Sequence, residues 1–342
     1  MGIRKNVEDQ KPLIEKVTPA AAITGGEFQI RGQGFVRSER PHVAFGTVPG
    51  TVIIVSDTLV IARVPEDATV GKITIGNGDG ESTGWACDIG IQVADGMHPV
   101  ANPAVDSFGN VYSTFSGTRG QKTPVSVFRV DPRDGVSPFL TDIMNATALL
   151  FDKDGFLYIS SRYEGIVYQA DPSGALSVFV EGMGVATGMA FDKDGNLYVG
   201  DRSGTIFKIS PSRQIYVFAT LESSISAYHL AYGPEGYLYV TGPTTSSFDT
   251  IHRISPAGEV EPFYRGLGRP QGMAFDADDN LYVSASQGGR RGVVRITPDR
   301  EAKLFLSGPN IVGVAFSPSR AMYVTTNNGV HRIDVGIAGR PV

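Results

Sequence analysis

The residues best equipped for chemistry in this chain are few and dispersed. A single cysteine, Cys87, excludes an internal disulfide and a Cys-rich zinc site. The 5 histidines form no pair at metal-binding spacing. There is no Gly-x-Ser-x-Gly elbow and no Gly-rich phosphate loop. Asp-Lys-Asp-Gly segments at Asp152 and Asp192 resemble calcium loops superficially. They lack the further oxygens and closing Glu of such loops, so they read as turns. His252 and His331, in Ile-His-Arg-Ile and Val-His-Arg-Ile, read as equivalent packed positions. His229, beside Tyr228, is the histidine placed to matter, because a channel mouth can use titration near neutrality.

The elements that position these residues come from an internal repeat. Gly188-Met-Ala-Phe-Asp-Lys-Asp-Gly-Asn-Leu-Tyr-Val and Gly272-Met-Ala-Phe-Asp-Ala-Asp-Asp-Asn-Leu-Tyr-Val share one plan with segments opening at Ala148, His229 and Gly313. A divergent copy opens at Pro103. The marker tyrosines, Tyr112, Tyr158, Tyr198, Tyr239, Tyr282 and Tyr323, lie 40 to 46 residues apart, the period of a four-stranded propeller blade. In the third copy the spacing predicts strands over 188–191, 197–199, 205–209 and 215–218, with Asp192 to Gly195 turning the chain. The last copy stops after a third strand, 330–333. Residues 89–94 are therefore expected to complete it, since an open ring leaves a bare edge. The other reading makes them the last strand of a first domain.

That domain, residues 11–88, shows short alternating runs at 28–31, 42–45, 52–55, 59–64 and 72–75, the pattern of a sandwich. The expected fold is all-β: a six-bladed β-propeller (89–342) preceded by a small immunoglobulin-like β-sandwich (11–88), with residues 1–10 an N-terminal tail. The net charge of −5 argues against nucleic acid as a partner. No apolar run approaches the roughly 20 residues that span a bilayer, and no signal-peptide core precedes the domain, so no membrane partner is expected. The compartment stays open, including an extracytoplasmic one if a leader is removed. Loops between first and second strands are acidic, with Asp106, Asp152, Asp192 and Asp276 among them. Those between second and third strands carry Arg119, Lys122, Arg162, Arg202, Arg290 and Arg291.

The run Pro12-Leu13-Ile14, Gly25-Gly26, Ile30-Arg31-Gly32-Gln33-Gly34-Phe35, Val43-Ala44-Phe45-Gly46 and Gly71-Lys72-Ile73-Thr74-Ile75 resembles the IPT/TIG family. That resemblance implies an immunoglobulin-like spacer or docking domain. The repeat, through Arg269-Pro270-Gln271-Gly272-Met273-Ala274-Phe275-Asp276 and Asn280-Leu281-Tyr282-Val283, resembles NHL repeats and the gluconolactonase/regucalcin propellers. The latter resemblance implies a divalent cation, such as calcium, held by acidic and amide groups just before Gly-Met-Ala-Phe motifs, its bound water attacking a lactone.

The matching ring here is Ala101, Thr147, Thr187, Tyr228, Gln271 and Val312, which contains no carboxylate. The expectation is therefore a non-catalytic recognition propeller without a cofactor. A small molecule or protein, neutral or anionic, would meet a funnel lined by Thr147, Thr187, Tyr228, His229 and Gln271 and rimmed by Arg162, Arg202 and Arg291. The alternative is a gluconolactonase/regucalcin-like metal-dependent hydrolase whose ligands come from other loops.

Overall fold

The computed structural model describes residues 11–37 and 39–341; the expected tail over 1–10 lies outside them. Among these residues no helix is long and apolar enough to cross a membrane. The chain divides into two compact units. One runs to Ile91 and includes Leu304–Pro309; the other comprises Gln92–Lys303 and the chain from Asn310 onward.

The first unit holds β1 (Leu13–Thr18), β2 (Ala21–Ile23), β3 (Glu27–Gln33), β4 (His42–Phe45), β5 (Val48–Val55), β6 (Leu59–Arg63), β7 (Lys72–Gly76) and β8 (Trp85–Ala86). Seven of them follow the order β1-β3-β6-β5-β4-β7-β8. The alternation read from sequence is met: Phe28 and Ile30 of β3 are fully buried with Phe45, Ile73 and Ile75, while Glu27, Gln29 and Arg31 face outward. The short β2 has no amphipathic pattern because all three residues are buried. Its Ala21 and Ala22 pair in parallel with Leu306 and Ser307, and Ala21–Ile23 pair with Asp88–Gly90 at the start of β9 (Asp88–Ala94).

In the second unit each repeat copy makes one run of antiparallel strands. The first is β10 (Ala104–Val105), β11 (Val111–Thr114), β12 (Val127–Val130) and β13 (Val136–Leu140). The second is β14 (Ala146–Phe151), β15 (Leu157–Ser161), β16 (Ile166–Ala170) and β17 (Leu176–Glu181). Next come β18 (Ala186–Phe191), β19 (Leu197–Asp201), β20 (Thr205–Ile209) and β21 (Ile215–Thr220). The fourth is β22 (His229–Tyr232), β23 (Leu238–Thr241), β24 (Asp249–Ile254) and β25 (Val260–Leu267). The fifth contributes β26 (Met273–Phe275), β27 (Leu281–Gln287) and β28 (Arg290–Ile296), followed in the chain by β29 (Ala302–Ser307). The last contributes β30 (Ile311–Phe316), β31 (Met322–Thr326) and β32 (Val330–Ile333). Val93, Ala94 and Met97 pack against Ala321, Tyr323 and Val330 of that last copy. Each innermost strand neighbours the next, and β30 returns to β10, so the six close a ring. This radial arrangement is a β-propeller.

The marker tyrosines hold neighbouring copies together. Tyr158 meets Phe179 of its own outer strand and Phe191 of the next copy edge-on, both at 5.0 Å between centroids. Tyr112 and Tyr239 are clamped the same way, by Phe139 with Phe151 and by Phe263 with Phe275. Such pairs contribute about 0.5–1.5 kcal/mol each beyond the area they bury.

The acidic turns have a structural task as well. Asp192 accepts the N–H groups of Asp194 and Asn196 on Oδ1, and Asn196 Nδ2 and the Tyr198 hydroxyl on Oδ2. Asp106 repeats all four contacts, with Phe108, Asn110 and Tyr112.

A third device recurs two residues after three of the six marker tyrosines, Tyr158, Tyr239 and Tyr323. Ser160, Thr241 and Thr325 donate to the carbonyls of Thr187, Gln271 and Ala101 in the following copy, at 2.6, 2.7 and 2.8 Å.

Two outcomes follow. Thr241→Val preserves shape but leaves the Gln271 carbonyl without its donor, and should cost about 1–3 kcal/mol in chemical denaturation. Thr241→Ser should retain most of the stability, and an equal loss there would locate the effect in packing. His331 is buried, and that burial pushes its pKa down to about 4. It stays neutral when folded, whereas the unfolded chain takes up the proton near the ordinary value of 6.5. Its contribution to stability is therefore lost as pH falls from about 6.5 toward 4, by up to about 1.4 kcal/mol per pH unit. The stability gap between wild type and His331→Asn should narrow over that range.

Candidate functional site

The predicted ring residues at the start of the innermost strands are tied to main chain, within their own copy and to the next. Thr147 and Thr187 are each only 1% exposed. The Thr147 hydroxyl donates to the Asn145 carbonyl at 2.9 Å, and that of Thr187 to the Gly200 carbonyl at 2.8 Å while accepting the Tyr228 N–H. Tyr228 is buried, its hydroxyl donating to the Glu222 carbonyl. Gln271 is half-buried with both main-chain groups bonded, the N–H to Ser284 and the carbonyl to Thr241. The structure thus places the three hydroxyls against main chain and away from solvent.

One residue further along, the strands come closest to the axis. A Cβ on Gly188 would lie 2.4 Å from the Tyr228 carbonyl oxygen, and one on Gly272 2.1 Å from Asn102 Oδ1. Asn102 braces this throat by donating to the Met273 carbonyl at 2.7 Å and accepting the Val314 N–H at 3.0 Å. It belongs to the divergent first copy, where the motif gives no hint of it. His229 holds the matching place in the fourth copy. It is 4% exposed, burial pushes its pKa down to about 4, and its ring has no hydrogen-bond partner among the described residues.

His229 and Asn102 border a central cavity of about 820 Å3. Ala148, Met189, Leu230, Met273 and Val314 give it apolar walls. Its mouth, at Asp192, Asp194, Glu235 and Arg340, opens among the first-to-second-strand turns.

The opposite face carries the arginines. Arg162 and Arg202 follow the second strands of neighbouring copies. Arg162 is half-buried and donates to the Gly117 carbonyl at 3.3 Å; Arg202 donates to the Ser224 carbonyl at 3.3 Å. Burial, then the charges of Arg202 and Arg119, hold the Arg162 guanidinium below its ordinary pKa. Arg119, expected on this basic face but not named in the rim, stands there because Asn145 holds its loop: the Asn145 amide donates to the carbonyls of Gly117 and Thr118 and accepts the Gly120 N–H. Asparagine suits its left-handed φ of 50°.

Acids nearby are already engaged. Asp201 accepts the Val185 N–H and the Ser203 hydroxyl, and Glu164 accepts the hydroxyls of Ser161 and Tyr168. Arg119, Arg162 and Arg202 have no ion pair among the described residues. Arg291, exposed at the start of β28, is not among the charges acting on Arg162. Tyr163, Ile225 and Phe248 add exposed apolar surface to the loops of this face. No three His, Cys, Asp or Glu among the described residues are grouped to hold a metal ion.

Comparison with known proteins matches residues 12–86 to the IPT/TIG domain and residues 158–328 to the SMP-30/gluconolactonase/LRE-like region. No curated protein matches. Among solved structures, a candidate gluconolactonase is 18% identical with a TM-score of 0.62, over 75% of this chain and 94% of its own. An auxiliary nutrient binding protein from Bacteroides ovatus is 15% identical with a TM-score of 0.55, over 97% of this chain and 98% of its own. A catalytically inactive virginiamycin B lyase from Staphylococcus aureus, with quinupristin, is 14% identical with a TM-score of 0.52, over 82% and 93%. At these identities the likeness is one of fold. The family region spans half of the chain, and on that match the chain belongs to the SMP-30/gluconolactonase/LRE-like family, with an IPT/TIG domain preceding the propeller.

Proposed function

We propose that this chain is a non-catalytic recognition propeller whose ligand or protein partner bears negative charge and docks on the arginine-bearing face. The observation that carries the reading is the set of Arg119, Arg162 and Arg202, brought together from three copies and left without carboxylate partners. Like charges held together cost free energy, which an anion on the same spot relieves. Tyr163, Ile225 and Phe248 would meet the apolar part of the same partner.

The family's divalent cation does not fit the ring of residues present. Ala101 and Val312 offer no side-chain oxygen, the hydroxyls of Thr147, Thr187 and Tyr228 are committed to main chain, and Gln271 alone supplies an amide. A hard dication takes six or more oxygens, several of them charged. The nutrient-binding role named for the Bacteroides ovatus neighbour, which matches 97% of this chain, supports recognition. Membership of a family that includes lactonases keeps hydrolysis as the second reading.

A thermal-shift screen of sugars, lactones, carboxylates and phosphate esters tests the choice. Anionic compounds should raise the unfolding temperature, an effect that weakens with salt, and Arg162→Gln should lower affinity about tenfold, near 1.4 kcal/mol. A stoichiometric dication in purified protein, lost together with lactone hydrolysis in Gln271→Ala, would overturn the reading in favour of the enzyme.

A further inference from the structure

The central cavity opens on the other face and has a different chemistry. At the throat Asn102 is committed to the Met273 carbonyl and the Val314 N–H, which leaves His229 as the polar side chain there without a partner. It is buried at the throat among Ala148, Met189, Leu230 and Met273. The volume, about 820 Å3, falls within the roughly 300–1,000 Å3 of small-molecule sites.

The mouth is built from the chain beyond β32. The Ile337 N–H donates to Arg320, Ala338 accepts the Ala277 N–H, the Arg340 N–H donates to Phe275, and the Arg340 side chain pairs with Asp279. Gly339, Arg340 and Pro341 therefore border the entrance in a fixed position. A charged ligand would lose its hydration against the apolar wall without a counter-ion at the throat. An uncharged one would lose only what the imidazole can replace.

We infer that this cavity is a second binding site, taking an uncharged, largely apolar small molecule whose hydroxyl or N–H group bonds the His229 imidazole. The ligand's hydroxyl would donate to the free ring nitrogen while its carbon skeleton fills the space between the innermost strands.

The probe is 1-naphthol, titrated into the full chain by fluorescence and by nitrogen NMR of the histidine rings. The expected result is one saturable site, a shifted His229 resonance, and an affinity that raised salt leaves unaltered, unlike binding on the arginine face. His229→Leu should weaken the probe about tenfold, the value of one hydrogen bond. Ala274→Trp, which fills the channel from its wall, should abolish binding while the unfolding temperature shows the fold retained. The wild-type NMR measurement stands even if a variant fails to fold. No saturation up to the solubility of 1-naphthol, an unmoved His229 resonance, or unchanged affinity in both folded variants would overturn the proposal.

Discussion

Six strands converging on one axis leave almost no room where they pass closest, and most of the larger unit follows from that crowding. Glycine at three of the throat positions, Gly188, Gly272 and Gly313, is required by carbonyl and amide oxygens that would lie 2.1–2.5 Å from a Cβ. Larger groups fit only where they replace something, as Asn102 does by bonding two strands at once. One residue earlier, Thr147, Thr187 and Tyr228 are buried. There the hydroxyls of Thr147, Thr187 and Tyr228 find backbone, and a ring that faces the axis in a sequence alignment becomes part of the wall.

Most of the architecture could be read from residue order because it rests on local chemistry repeated many times. Aspartate, then asparagine or glycine, then Leu-Tyr-Val is a turn followed by a strand wherever it occurs. The strand Thr205–Ile209 and its neighbours appear where alternation places them. The site was less legible. Thr187 is the same hydroxyl whether it meets a ligand or the Gly200 carbonyl, and only three-dimensional packing decides. Arg119 is legible as a residue of the basic face, but its nearness to Arg162 is not, because its loop is held by Asn145, 26 residues away in sequence. The mouth of the cavity depends on Arg340, which lies outside the repeat altogether.

Charge is divided between the two faces by use as much as by count. Carboxylates that open the turns, such as Asp106 and Asp192, are occupied by N–H groups, amides and tyrosine hydroxyls. The arginines opposite are fastened only through single carbonyls, Gly117 for Arg162 and Ser224 for Arg202. A guanidinium has five N–H donors, so each keeps most of its hydrogen-bonding capacity. The chain has the family's scaffold, and its function must be argued from the residues that this scaffold presents, because function resides in a site grafted on a fold.

The bonds joining the last copy to the first have a kinetic meaning. Thr325 reaches Ala101 across 224 residues and Asn102 reaches Val314 across 212, whereas other copies are stitched over about 30. Loop closure costs only slightly more entropy as loops lengthen, yet such distant contacts slow the search for the native topology. The junction between Ala101–Asn102 and the final copy is thus where the circle makes its most non-local contacts, and the ring is complete only when the two ends of the repeat array have met.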